Sequence, residues 1–106
     1  MSDRLIKKYV PMTESAYYIL LALKCERHGY GILGYIDKIT DGRVKLGAGT
    51  IYGTLSKMDK DGLINAVSEH DRRKTYLIDD FGLRILKIEI ERLEELLNNA
   101  RKESKS

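Results

Sequence analysis

A chain of 106 residues has room for one domain, and such a chain buries only about two-thirds of its unfolded surface on folding, so a second subunit would add to its stability. Its 42% hydrophobic and 33% charged residues exclude wholesale disorder, and the absence of any apolar run near the roughly 20 residues of a bilayer span excludes a transmembrane helix. The net charge of +3 is modest, but residues 80 to 106 hold six acidic and six basic groups, which leaves the whole excess in residues 1 to 79.

In chain order, the apolar residues of Leu5-Ile6-Lys7-Lys8-Tyr9-Val10 fall at 5, 6, 9 and 10, on one side of a helix of about two turns. So short a helix needs something to lie against. Pro11, the only proline, closes it, and Thr13 with Glu14 is a good start for a second helix because a hydroxyl and a negative charge both favour a helix N-terminus. The run Ala16 to Leu23 is apolar nearly all round and is expected to be the most buried helix. Gly29 and Gly31 precede a third helix whose Ile32, Tyr35, Ile36 and Ile39 keep the spacing of one buried face, and Asp41-Gly42 ends it. After Gly47-Ala48-Gly49, residues Thr50 to Asp61 read as a fourth helix, stopped by Gly62 at the position after the C-cap. Leu63 to Ser68 and Lys74 to Ile78 are rich in strand formers and flank the charged Glu69-His70-Asp71-Arg72-Arg73, the pattern of a β-hairpin. Asp79 is an N-cap candidate for a last helix that runs to about Arg101 and frays into Lys102 to Ser106. The fold class expected is mainly α, a winged helix-turn-helix over residues 1–78 with a two-stranded β-wing, followed by a long dimerisation helix over 79–106 in the same compact unit.

The helix after Gly49 carries the sharpest functional signal. Ile51, Leu55 and Met58 cluster within about 60° of one another, and Gly53, Ser56, Lys57 and Lys60 lie opposite. A helix that enters the major groove of DNA needs small residues where backbones approach and hydroxyls or cations where phosphates and base edges lie. Tyr52, flanking that face, could set its hydroxyl on a phosphate or its ring against a thymine methyl. The hairpin adds Arg72-Arg73-Lys74, three cations that could straddle the adjacent backbone or reach the minor groove. A lone amphipathic helix or a lone basic turn is usually just a solvated face. The two together point to DNA.

The strings Pro11-Met12-Thr13-Glu14, Tyr18-Ile19-Leu20-Leu21-Ala22-Leu23, His28-Gly29-Tyr30-Gly31-Ile32, Gly49-Thr50-Ile51-Tyr52, Asp61-Gly62-Leu63-Ile64 and Arg72-Arg73-Lys74-Thr75-Tyr76 resemble the PadR-type transcriptional regulators, named for a phenolic acid decarboxylase repressor. The resemblance extends in order from about Pro11 to Gly82. It implies a winged helix, a homodimer held by the C-terminal helix, and binding of inverted-repeat operators in double-stranded DNA, often with autorepression. Carried over by position, it implies DNA contact by Thr50, Tyr52 and the polar face after them, with Arg72, Arg73 and Lys74 as the wing. Some relatives sense aromatic compounds in a cavity between subunits, so a small-molecule effector at the dimer interface is a further implication. Many relatives carry Ser or Pro where this chain has Gly47-Ala48-Gly49, which leaves the first residue of the reader helix open.

The last helix argues for dimerisation by itself. Leu83, Leu86, Ile90, Leu93 and Leu97 follow the 3, 4, 3, 4 spacing of a coiled-coil seam, while Phe81, Ile85, Ile88 and Leu96 form a second stripe on roughly the other side. Two apolar faces require two partners: the helix's own domain and a second chain. Leu5, Ile6 and Tyr9 of the opening helix are expected to layer onto the same interface.

No catalytic constellation is present in the sequence, with no nucleophile beside an evident base and no paired acids, so an enzyme is not expected. Cys25 and His28 have ligand-like spacing, but a zinc site needs three or four ligands, so neither a metal nor a cofactor is expected. The Met-Ser-Asp-Arg start lacks the layout of a secretory signal and the single cysteine fits a reducing compartment, which together lead to the expectation of a cytoplasmic protein. The competing function is a winged-helix protein-interaction module that never meets DNA. It gives no reason for a polar cationic helix face and a cationic wing to occur together.

Overall fold

The computed structural model describes residues 2–103. Its elements are α1 (Ser2–Tyr9), α2 (Glu14–Ala22), α3 (Gly29–Ile39), α4 (Ala48–Lys60), β1 (Ile64–His70), β2 (Arg73–Ile78) and α5 (Asp80–Glu103). The order and types are those read from the sequence. Residues 104–106, where fraying is expected, lie outside the described residues, and α5 itself continues two residues past Arg101.

The caps explain where the helices begin and end. Thr13 Oγ1 accepts from the Ala16 amide at 3.1 Å, and His28 Nδ1 accepts from the Gly31 amide at 3.2 Å, so each supplies a partner for an otherwise orphaned N–H. Helix α4 starts two residues earlier than expected, at Ala48, with Gly47 as an N-cap that offers no side-chain acceptor. Its exit is a Schellman turn: Gly62 sits at φ +83°, the Leu63 amide donates to Met58 O at 2.9 Å, and the Gly62 amide donates to Asp59 O at 3.2 Å.

One core joins every helix. Ile19, Leu20 and Leu23 from α2 and its end, Ile32 and Ile36 of α3, Ile51, Leu55 and Met58 of α4, and Ile85 and Leu86 of α5 are all buried, with Leu63 and Ile64 at the root of the hairpin. The most-buried role expected of α2 holds for Ile19, Leu20 and Ala22, while Tyr17, Tyr18 and Leu21 are half-buried at its edges. Ile39 departs from the buried face assigned to it. It is the last residue of α3 and is exposed.

The hairpin is tighter than the sequence suggested. The strands reach His70 and Arg73, leaving a two-residue loop of Asp71 and Arg72 at φ +50° and +67°. Two left-handed residues in succession make a type I′ turn, whose twist matches that of paired strands. The ladder is interrupted by a bulge at Val67, between the Ala66–Tyr76 and Ser68–Thr75 pairs. At the other end the sheet gains a short third edge, where Arg27 and Tyr76 exchange backbone hydrogen bonds of 3.1 and 2.9 Å and the Ile78 amide donates to Leu23 O at 2.7 Å.

The N-terminal segment is strapped across the domain by polar contacts. Tyr9 is buried, and its hydroxyl donates at 2.7 Å to Asp61 Oδ2, which also receives Lys8 Nζ at 2.7 Å. Burial and the Asp61 carboxylate both push the Tyr9 phenol far above its ordinary value. Farther on, the Met12 amide donates at 3.3 Å to the carboxylate of Glu89, which is 2% exposed and also takes two hydrogen bonds from Arg92, at 2.9 and 2.7 Å. Tyr9 was expected at a subunit interface. It is instead covered by its own chain, because the strap folds it against the end of α4.

Two stability predictions follow from these contacts. A Cβ on Gly82 would lie 2.1 Å from Leu63 O and 2.8 Å from Ile78 Cγ1, whereas one on Gly34 would meet nothing within 4 Å. Gly82→Ala should therefore cost about 3 kcal/mol in urea unfolding, at the top of the overpacking range, and Gly34→Ala should gain about 0.5–1 kcal/mol from helix propensity alone. Equal effects of the two would contradict the packing described. The second concerns acid. Hydrogen bonds from Arg92 hold the Glu89 carboxyl below its ordinary value against the opposing pull of burial, with the Met12 amide adding to them. A carboxylate depressed on folding contributes stability above its unfolded pKa, and that stability is lost as pH falls through the folded value. The unfolding free energy should accordingly drop below about pH 4.5 more steeply in the wild type than in Glu89→Gln, and parallel curves would remove Glu89 from this role.

Candidate nucleic-acid interface

The buried stripe Ile51, Leu55 and Met58 pins α4 to the core, and this fixes what the helix shows outward. Thr50, Tyr52, Gly53, Ser56, Lys57 and Lys60 are all exposed. A Cβ on Gly53 would touch nothing within 4 Å, so no neighbour in the chain requires a glycine there and its smallness matters only to something outside. On the hairpin, Arg72, Arg73 and Lys74 are exposed as well, Arg72 in the turn and the other two opening β2.

The structure gathers part of this set into one cleft of about 300 Å³, lined by His28, Gly29, Tyr52, Arg72, Arg73, Lys74 and Tyr76. The start of α3, Tyr52 in the second turn of α4 and the wing thus face a common space. Lys57 lies elsewhere, on a second hollow with Lys8, Pro11, Thr13 and Thr54 on the side of the N-terminal strap. The basic groups therefore spread along a surface that has α4 at its centre, instead of forming a single patch.

Tyr52 is 49% exposed, and its ring crosses the start of α3: a Cβ on Gly29 would sit 2.6 Å from the Tyr52 hydroxyl oxygen. Gly29 is thus the residue that makes room for the ring. Sequence reasoning missed two residues here. Tyr30 is 62% exposed at the first turn of α3, and the Arg73 guanidinium lies over its ring at 5.2 Å. Its signal was its position off the buried stripe of Ile32 and Ile36, which left a large aromatic with no core to fill. Glu26 is the other, and it touches the wing directly.

The cations near the turns are otherwise engaged. Arg43 pairs with Glu14, and Lys45 with Asp37 at 3.2 Å. Arg27 donates to Ala22 O at 2.6 Å and lies 4.3 Å over the Tyr35 ring. Cys25 is exposed, His28 uses Nδ1 as a helix cap, and among the described residues no group of three or more His, Cys, Asp or Glu side chains comes together to hold a metal. None of the described helices is long and apolar enough to cross a membrane.

On α5 the expected seam divides. Leu83, Ile90, Leu93 and Leu97 are 36–49% exposed, while Leu86, expected beside them, is 2% exposed and belongs to its own domain's core with Ile85. Leu96, assigned to the inward stripe, is 52% exposed. Both corrections have one cause: α5 leaves the domain near Glu89, so what faces inward before that point has nothing to face after it. Leu5 and Ile6 are half-buried, Ile6 against the core.

The pattern of the transcriptional regulator PadR-like family matches residues 19–88. Solved structures with the same fold include a transcriptional regulator from Clostridium thermocellum at 24% identity and a TM-score of 0.70, covering 96% of this chain and 96% of that one. A PadR family transcription regulator from Clostridium difficile superposes at 21% identity and a TM-score of 0.70 over 85% of this chain and 97% of that one. A PadR-like transcriptional regulator from Bacillus cereus does so at 20% identity and 0.68 over 97% and 98%. No curated protein matches the chain. The family match spans well over half of the sequence and covers α3, α4 and the wing whole, so the chain, a winged helix with a long C-terminal helix, belongs to the PadR-like family of transcriptional regulators.

Proposed function

We propose that the chain is a repressor that binds double-stranded DNA as a homodimer, with one α4 in each of two successive major grooves of an inverted-repeat operator. The observation that carries this reading is the outward face of α4, with exposed Thr50, Tyr52, Gly53, Ser56, Lys57 and Lys60, flanked by the cationic wing across a shared cleft. Such a surface offers phosphate contacts from Lys57, Lys60, Arg72, Arg73 and Lys74 and base-edge contacts from the hydroxyls between them. A winged-helix interaction module would leave these exposed cations without a role.

The dimer reading rests on α5. Leu83, Ile90, Leu93 and Leu97 form an exposed apolar stripe on a 24-residue helix of about 36 Å. About half exposed as they stand, these side chains would each forgo roughly half of the ~1.5–3 kcal/mol that full burial brings. Two copies paired through α5 cover them and place two reader helices one duplex turn, about 34 Å, apart. Release by a small-molecule effector fits a cavity of about 260 Å³ lined by Met12, Tyr17, Tyr18, Glu89, Arg92 and Leu93, since Leu93 places it at the edge of the stripe. An occupant there would change the tilt of α5 against its domain and with it the separation of the reader helices.

A titration against duplexes from the promoter of its own gene tests the DNA reading. Lys57→Ala, present in both subunits of the dimer, should weaken binding and lower the slope of log affinity against log salt by about 2, and Arg72→Ala/Arg73→Ala should lower it by about 4. Binding that ignores both changes would favour the interaction module. For the dimer, Leu93→Glu/Leu97→Glu should sediment as a folded monomer and lose operator affinity, and a wild-type chain that sediments as a monomer at micromolar concentration would end that reading.

A further inference from the structure

The loop between α2 and α3 places a carboxylate where simple charge attraction to DNA would not. Glu26 is exposed, and its Oε2 receives Ser68 Oγ at 2.9 Å and Thr75 Oγ1 at 2.5 Å, while the two hydroxyl oxygens lie 2.5 Å from each other. Ser68 is on β1 and Thr75 on β2, paired across the ladder just beyond the bulge at Val67. Thr75 is the neighbour of Lys74, so this anion stands beside the cations of the wing.

The geometry of the hairpin makes such a contact useful. A two-stranded hairpin is at best marginally stable alone. The root of this one is held by the Arg27–Tyr76 bridge and the Ile78–Leu23 hydrogen bond. Outboard of that bridge both strands are largely exposed, and a bulge breaks the ladder and bends β1. Among the described residues, the hydrogen bonds that join this outer part to the body are those of Glu26. Two hydroxyls bring two protons to three short contacts, and an ionised Glu26, as a pure acceptor, can take both, which leaves the Ser68–Thr75 approach as the one without a proton of its own. The hydroxyls of Thr75 and Ser68 hold the Glu26 carboxyl below its ordinary value, in keeping with that state.

We propose that Glu26 is a positioning residue for DNA recognition: it sets the pitch of the wing by tying both strands to the α2–α3 loop, so that Arg72, Arg73 and Lys74 are presented together with α4. The inference rests on the reading of the hairpin as a DNA-contacting wing. It runs against the electrostatic expectation, because removing a negative charge beside a DNA-binding surface should otherwise tighten binding.

Five proteins separate the possibilities: the wild type, Glu26→Ala, Glu26→Gln, Ser68→Ala/Thr75→Val and the triple variant that adds Glu26→Ala to that pair. Operator affinity is measured by titration, and amide hydrogen exchange of residues 67–76 is measured in the free protein. Glu26→Ala should raise the operator Kd about tenfold and speed exchange of the outer hairpin about tenfold, with the melting temperature nearly unchanged. Glu26→Gln, whose amide oxygen still accepts, should recover most of both. In the Ser68→Ala/Thr75→Val background, Glu26→Ala should add nothing further. Affinity equal to or tighter than wild type in Glu26→Ala overturns the proposal, whether or not exchange changes. Should the wild type bind no duplex, the DNA reading itself fails, and the exchange experiment decides the clamp alone: unchanged exchange in Glu26→Ala refutes it, and faster exchange supports the fastening of the hairpin.

Discussion

The backbone of Leu63 is the point on which the geometry of this protein depends. Its amide closes the Schellman turn of α4 by donating to Met58 O, and its carbonyl receives the Asp79 amide at 2.9 Å. Gly82 of α5 packs directly onto that carbonyl, closer than any side chain would permit. The end of α4, both roots of the wing and the first turn of the long helix therefore meet within one residue. Because each joint is a backbone contact and not a flexible side chain, the angles between the three elements are set together.

Polar groups extend this rigid joint across the domain. Asp61, one residue after α4, takes Tyr9 and Lys8 from the N-terminal segment, and Glu89 on α5 takes the Met12 amide. The strap thus ties the exit of α4 to the helix that carries the leucine stripe. Buried carboxylates are costly unless their lone pairs are met, and Glu89 meets its own through Arg92 and Met12, so the tie is specific in direction as well as in contact. A change in the tilt of α5 would be felt at α4 through this path. That gives a physical route from the cavity beside Leu93 to the outward face of α4.

The wing follows a different logic. Its inner half belongs to the core through Ile64 and Ile78, but its outer half must reach away from the domain to be of use, and so it cannot be held by apolar burial. Hydrogen bonds to Glu26 and the Arg73–Tyr30 contact serve instead. Both keep the hairpin in place, the second through Arg73 itself, while Arg72 in the turn stays exposed.

Much of this was legible in the chain of residues. Hydrophobic spacing gave each helix its buried stripe, Thr13 and Gly62 marked a start and a stop, and Ile51, Leu55 and Met58 identified the face of α4 turned outward. These are local signals, set by the 3.6-residue turn and by the conformations particular side chains allow. Local spacing says which face is apolar but not which neighbour covers it, so Tyr9 and Leu86 were legible as apolar yet not as parts of their own domain's core. The place where α5 leaves the domain, the cleft shared by Tyr52 and the wing, and the hold of Glu26 on two strands all join residues distant in sequence. Only the folded chain decided them, because a contact across the fold is fixed by the packing of whole elements and leaves no periodic trace in the order of the residues.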